Sequence, residues 1–248
     1  MIASDTAQNA GDQPYSTGNP ELDLVMSGGF PGGALSLIVG PPGAGKTVLA
    51  TQLAFAAARG GRKVVYLTNV SESHARLIKH IRALSFFDEQ LLTRSLNLVS
   101  VNTAIQSQGS EATINFIADV ARDAQAELVV IDSYLGLQQL IAADSQKRRE
   151  TLFNLMARLR LLGASTVLVG EYPAAALGSE PEFAVADCVI ELAYEPQGMR
   201  RRRLLSVLKM RGTAFLEGLH PCAITARGVE VFPRLESLPA PAPFRPAA

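Results

Sequence analysis

Apolar residues along this chain fall into short runs separated by longer segments with a different spacing. "LSLIV", "KVVYLTN", "LNLVSV", "ELVVID", "STVLVG", "CVIELAY" and "RRLLSVLKMRG" are brief and rich in aliphatic residues. They read as strands. Between the first five lie segments such as "VLATQLAFAAARGG" and "KRRETLFNLMARLRLLG", where apolar residues recur at helical intervals. This alternation predicts an α/β domain built on a mainly parallel central sheet with flanking helices. The last two runs are joined by the turn-like "EPQGMR" and predict a C-terminal antiparallel hairpin on the same sheet. "HARLIKHIRAL" and "FNLMARLRLL" predict amphipathic helices whose Leu and Ile pack on that sheet rather than on a membrane or a cofactor.

No internal repeat is visible, so one domain is predicted over residues 15–238. Residues 1–14 are small and polar, and residues 239–248 are rich in Pro and Ala. Neither buries enough apolar surface to offset its ordering entropy, and both are expected to be disordered tails.

Composition narrows the function without naming it. Lys plus Arg and Asp plus Glu both number 23, so no global charge recruits nucleic acid or an anionic membrane. No apolar run approaches the roughly twenty residues of a membrane helix, and the N-terminus lacks the pattern of a signal peptide. Cys188 and Cys222 form neither a CxxC pair nor a cluster with His74, His80 or His220. That excludes a disulfide framework and a zinc site, and points to a reducing, cytoplasmic setting with both thiols in the core. His74 and His80 are not spaced as an i, i+4 metal pair and are expected at the surface.

The chemistry begins at "GPPGAGKT", Gly40 to Thr47, which fits the phosphate-loop pattern G-x-x-x-x-G-K-[ST] between a predicted strand and a predicted helix. Glycines there let successive main-chain N–H groups converge on phosphate oxygens, and the helix N-terminus adds partial positive charge. The binding set is Pro42, Gly43, Ala44, Gly45, Lys46, Thr47 and Val48. Lys46 reaches the β- and γ-phosphates, and the Thr47 hydroxyl binds Mg²⁺. "ELVVIDS" puts Asp132 at the carboxyl end of a buried strand, where open α/β sheets bind ligands, and makes it the second candidate metal residue.

The remaining sequence selects a family. "STGNPELDLVMSGGFPGGALSLIVGPPGAGKT", "LVVIDSYLGL", "RRETLFNLMARLRLLGASTVLVGE", "VADCVIEL" and "RRRRLLSVLKMRGTAFLEGLHPCAITARGVEVFP" resemble the KaiC-type ATPases of the RecA superfamily, from about Ser16 to Leu235. The resemblance implies a RecA-like P-loop fold, with ATP and Mg²⁺ bound between subunits of a ring that is usually a hexamer. It is closer to the family's ATPase-type domain than to its autophosphorylating one.

It also implies that "KMRGT" acts on the neighbouring subunit's nucleotide, with Lys209 and Arg211 pointing into it and Met210 and Thr213 close by. Two cations two residues apart on a strand share a face and can meet one polyphosphate. Thr225 matches a family nucleotide contact. Phe215 and Ala226 stand where the family has a His and an Asp, so base preference or affinity differs.

At the catalytic step the family carries two adjacent Glu residues after the second strand, the first activating water. Here "TNVSES" aligns Ser71 with the first and Glu72 with the second. A neutral Ser orients water but does not take its proton, so general-base help must come from Glu72 or be missing, and slow hydrolysis is expected. Glu171 matches a Glu that can sense the γ-phosphate. The phosphorylated Ser-Thr pair of the autophosphorylating domain aligns with Phe183 and Ala184, which have no hydroxyl.

The run Arg200–Arg203 invites a single-strand DNA reading, but such a groove joins cations to aromatic stacking platforms, and none is expected beside this run, Tyr194 lying on the far side of the turn. A solvated hairpin or subunit interface is the favoured reading. The sequence thus predicts a signalling ATPase with an unidentified protein partner. Two alternatives stay open: a recombinase-type DNA-binding ATPase, and a nucleotide-bound scaffold without useful hydrolysis.

Overall fold

The computed structural model describes residues 13–68, 74–134, 145–172 and 180–234. Nearly all of both expected tails, and the segment holding Ser71 and Glu72, lie outside the described residues. Among the described residues the strands are β1 (Leu35–Gly40), β2 (Val64–Thr68), β3 (Leu96–Ser100), β4 (Leu128–Asp132), β5 (Ser165–Glu171), β6 (Cys188–Gln197), β7 (Arg200–Met210), β8 (His220–Thr225) and β9 (Gly228–Val231). The helices are α1 (Pro20–Val25), α2 (Lys46–Arg59), α3 (His74–Ile81), α4 (Leu91–Arg94), α5 (Asn102–Asp123), α6 (Ser145–Leu161) and α7 (Pro181–Val185).

All nine strands form one sheet in the order β3-β2-β4-β5-β1-β6-β7-β8-β9. Pairings from β3 through β6 are parallel, and those from β6 onward are antiparallel. The predicted α/β class and the β6–β7 hairpin are both present, with Gly198 and Met199 making the turn. β8 and β9 extend the antiparallel edge beyond what the apolar runs predicted. Their residues, "HPCAIT" and "GVEV", are too short and too mixed in polarity to stand out by periodicity.

Side-chain alternation in the buried strands divides the core between the two faces of the sheet. On one face Ile38, Tyr66, Val130, Val169 and Ile190 pack with Leu49, Leu53 and Phe55 of α2 and with Leu22 and Val25 of α1. On the other, Leu37, Val39, Leu67, Val129 and Leu168 pack with Ile117 of α5 and with Leu152, Leu155 and Leu159 of α6. Truncating a fully buried Leu such as Leu53 to Ala would cost about 2–5 kcal/mol. The apolar stripes of the two amphipathic segments are inside: Leu77 and Ile81 of α3, and Leu152, Leu155, Met156 and Leu159 of α6, are buried. Both thiols are buried, and His80 is exposed while His74 is half-buried. No helix among the described residues is long and apolar enough to cross a membrane.

The phosphate loop sits where β1 ends and α2 begins, and distant parts of the chain hold it. Asn19 caps α1 through its side chain and donates to the Val229 carbonyl at 2.8 Å. Gln52, buried on α2, accepts the Val229 N–H at 2.8 Å. The β8–β9 hairpin is thereby fastened to the helix that carries Lys46.

Candidate functional site

The loop's shape follows from three glycines. Gly40, Gly43 and Gly45 have φ of 145°, 76° and 113°, the left-handed region that disfavours side chains. Space is closed by backbone at Gly40 and crowded by a side-chain end at Gly45. A Cβ on Gly40 would stand 2.0 Å from the Leu192 carbonyl oxygen, and one on Gly45 would stand 2.9 Å from Ile224 Cδ1. Gly45 is the N-cap of α2 and has no side chain to cap it, leaving the first N–H groups of that helix for an anion.

Lys46 opens α2 and is only 6 % exposed. Its ammonium donates to the Pro41 carbonyl at 2.9 Å and lies 3.5 Å from a Glu171 carboxylate oxygen. Burial lowers its pKa below the ordinary 10.5, while Glu171 and, after it, Asp132 pull it back up. The cation is therefore poised on the loop, with a carboxylate that a phosphate group can replace.

Thr47 is half-buried, and its carbonyl accepts from Thr51 Oγ1 at 2.8 Å. Asp132 ends β4, pairs in register with Thr68 and Val169 on either side, and accepts the Tyr66 phenol at 2.7 Å. Among the described residues no group of three or more His, Cys, Asp or Glu could cage a metal. A hydroxyl and one carboxylate nevertheless suit Mg²⁺, which keeps several waters and takes its other ligands from substrate phosphates.

Further members of the predicted set are dispersed. Ala44 is buried, with its N–H on the Pro41 carbonyl, and Val48 packs against the core. Pro42 is exposed. Thr225 lies at the same end of the molecule, one residue after Ile224; its hydroxyl donates to Glu230 and accepts the Arg227 N–H. Phe215 packs against the core, and the Ala226 carbonyl accepts the Ser85 N–H at 2.7 Å.

Lys209 and Arg211 lie at the opposite end of the sheet. Lys209 is six residues beyond Arg203, whose guanidinium lies beside Tyr194 near the loop, so with the bulge in the β6–β7 pairing it stands about 17–20 Å along the strand from it, and Arg211 follows just past the strand's end. Both turn to the same side. Lys209 Nζ donates to the Phe183 and Ala184 carbonyls at 3.0 and 3.3 Å, and Arg211 Nη2 donates to the Ala184 carbonyl at 3.1 Å. Burial, and then the neighbouring Arg211, lower the Lys209 pKa. Met210 between them is buried, and Thr213 is exposed.

One expectation is corrected. The arginine run does have an aromatic neighbour: Tyr194 pairs with Arg203 across the hairpin, and the Arg201 and Arg203 guanidiniums lie 6.0 and 5.5 Å from its ring centroid. Tyr194 also donates its phenol to the Gly43 carbonyl at 2.6 Å. Residues 194 and 203 are set face to face by the register of the hairpin, which its predicted existence alone did not fix. Tyr66 escaped notice for the same reason, since its partner Asp132 is on a strand whose adjacency to β2 is set by the sheet order.

A left-handed glycine loop with a buried lysine between a parallel strand and its helix defines a P-loop nucleotide-binding domain. Comparison with known proteins sharpens this. The profile of a family described as "ATPase: KaiC" matches residues 15–236, and the chain belongs to the KaiC-type ATPase family. It is 33 % identical to the circadian clock oscillator protein KaiC of Picosynechococcus sp., over 86 % of this chain and 43 % of that relative. Identity is 34 % with the Synechococcus elongatus protein of the same name, with 86 % and 43 % covered. The chain thus spans less than half the length of these relatives. A KaiC-like protein from Pyrococcus horikoshii OT3 superposes with a TM-score of 0.78 at 26 % identity, covering 89 % of this chain and 99 % of that one.

Proposed function

We propose that the chain is a ring-forming ATPase that binds Mg·ATP between copies of itself, turns it over slowly, and passes the change of state to a protein partner. One observation carries this reading: Lys209 and Arg211 are presented together, toward the end of the sheet opposite the chain's own phosphate loop. Two cations so placed cannot serve the nucleotide of their own subunit. In a ring, they meet the triphosphate held by the next one.

In this reading the main chain from Pro42 to Val48 and the Lys46 ammonium hold the phosphates, while Thr47 and Asp132 hold Mg²⁺. The metal ion would neutralise charge on the β- and γ-phosphates. Lys209 and Arg211 stabilise charge developing on the γ-phosphoryl oxygens, and Met210, Thr213 and Thr225 add contacts around the nucleotide. Glu72 is the candidate base, and Ser71 beside it is the reason for slow turnover. ATP and ADP must favour different states of the ring for a partner to read the cycle.

Light scattering after size exclusion, at high protein concentration with ATP and magnesium, tests the ring; a monomer throughout refutes the trans roles. Phosphate release by wild type and Lys46→Ala tests the chemistry. Slow release that Lys46→Ala abolishes and that single-stranded DNA leaves unchanged is the expected result. The aromatic contact of Arg201 and Arg203 gives the DNA-dependent reading some footing, and DNA-stimulated release with steep salt dependence would favour it. No release at all would favour the scaffold.

A further inference from the structure

Asp187, which the sequence reading did not single out, lies in the short connection between α7 and β6 and ties the trans cations to the root of the phosphate-loop strand. Its main-chain N–H donates to the Leu35 carbonyl at 2.8 Å, and its side-chain Oδ2 accepts the Leu35 N–H at 3.0 Å. Leu35 begins β1, the strand that ends in the phosphate loop. On the other side the Asp187 carbonyl accepts the Arg211 N–H at 2.8 Å, and Oδ1 accepts from Arg211 Nη1 at 3.4 Å. Arg160 of α6 completes the group, donating to Oδ2 at 2.6 Å.

Arg211 is therefore fixed at three points: its own N–H and one guanidinium nitrogen on Asp187, and the other guanidinium nitrogen on the Ala184 carbonyl. A fork held this way is aimed before any phosphate arrives. The Asp187 carboxylate is 17 % exposed, whereas Arg160 and Arg211 are each 56 % exposed, so the anchor is inside and the cations project outward. The group forms part of the wall of a cavity of about 480 Å³, whose apolar side includes Leu35, Phe153 and Met156.

We infer that Asp187 is a positioning residue for catalysis in the adjacent subunit: it orients Arg211 toward that subunit's nucleotide and partly neutralises the Arg160, Lys209 and Arg211 cluster. This rests on the reading that Arg211 works across an interface. Without the carboxylate, Arg211 keeps its charge and its bonds to the Asp187 and Ala184 carbonyls but loses one of the two points that hold its guanidinium. Misplacement of a transition-state contact by about an ångström costs up to about a hundredfold, so Asp187→Asn should lower kcat about ten- to a hundredfold.

Subunit mixing separates this from a merely structural effect. Asp187→Asn subunits keep every residue of the phosphate loop, and Lys46→Ala subunits keep Arg211 and Asp187. Mixed one to one as dissociated chains and reassembled with ATP and magnesium, they rebuild a complete site at about a quarter of interfaces by random placement around a closed ring. Phosphate release should rise to about that fraction of the wild-type rate. Arg211→Ala mixed with Lys46→Ala is the reference and should recover equally.

Recovery in the reference mixture but not with Asp187→Asn overturns the role of Asp187 and leaves the ring reading intact. No recovery in either mixture overturns both. Full activity of Asp187→Asn alone also overturns the inference. Should that variant fail to fold, Asp187→Glu carries the same test, since it keeps the charge and shifts the carboxylate by one methylene group; it should lose rate and regain it on mixing, and a wild-type rate or no regain counts against the inference.

Discussion

Replacing Glu171 by Gln would expose what holds Lys46 back. The two groups are 3.5 Å apart, a separation worth about 5 kcal/mol between unit charges at an effective dielectric of about 20. Glu171 is 45 % exposed, however, and pairs with one solvated partner rarely exceed about 1 kcal/mol. We therefore take about 1 kcal/mol as the strength of the contact. The free protein loses that much stability, a fall of about 2–4 °C in Tm for a domain of this size.

Nucleotide binding should move the other way. A phosphate entering the loop displaces the carboxylate from Lys46 and is repelled by it, and the Glu171→Gln substitution removes both costs. ADP and ATP should then bind about fivefold tighter, which is the roughly 1 kcal/mol expressed as a ratio. Titration calorimetry of wild type and Glu171→Gln with each nucleotide, beside thermal melts, checks both signs. Weaker binding of both nucleotides to Glu171→Gln would refute the reasoning, because it would mean that the carboxylate helps hold the ligand. A turnover loss despite tighter binding would fit the γ-phosphate sensing role.

Protonation of Lys46 gives a pH signature. The buried ammonium titrates below 10.5 in the free protein and is pulled up by bound phosphate, so affinity is level at lower pH and weakens as pH rises through the free value. Binding in that alkaline range should take up a proton, read as a buffer-dependent calorimetric heat; for the free fold, the same lowered value makes this group's contribution to stability increase with pH up to about 10.5. Gly40→Ala should cost more than about 2 kcal/mol in a denaturant melt, because both φ and the Leu192 carbonyl forbid the methyl group. Gly61→Ala, with φ of 89° and nothing within 4 Å, should cost only about 1 kcal/mol. Burial pushes Cys188 up to about 12 and Cys222 up to about 11, so an aromatic disulfide reagent should label neither at pH 7 until the protein is unfolded; rapid native labelling would contradict their packing.

What could be read along the chain was whatever repeats locally. The strands of the parallel core show themselves as apolar runs, and the phosphate loop shows itself because its eight residues are contiguous. The resemblance to a family supplied Lys209 and Arg211, their i, i+2 spacing predicted the shared side, and the structure adds their placement toward the end of the sheet opposite the phosphate loop. Tyr66, Gln52, Asp187 and the contacts of Tyr194 were illegible for a common reason. Each acts through a partner brought near by strand order or hairpin register, and no local pattern encodes that adjacency. β8 and β9 were missed because "HPCAIT" and "GVEV" mix Pro, Gly and polar residues with few aliphatic ones and carry little periodic signal.

The bracing of the phosphate loop has a consequence for synthesis. The loop itself lies in the first fifth of the chain, yet Tyr194, which holds the Gly43 carbonyl, comes 151 residues later, and Val229, which fastens α2 through Gln52, comes 177 residues after that glutamine. On a ribosome the lysine-bearing turn emerges early and waits, unsupported, for the far end of the polypeptide. Competence to grip a nucleotide is thereby tied to completion of the domain, and a nascent fragment lacking its closing strands has no finished cradle to offer.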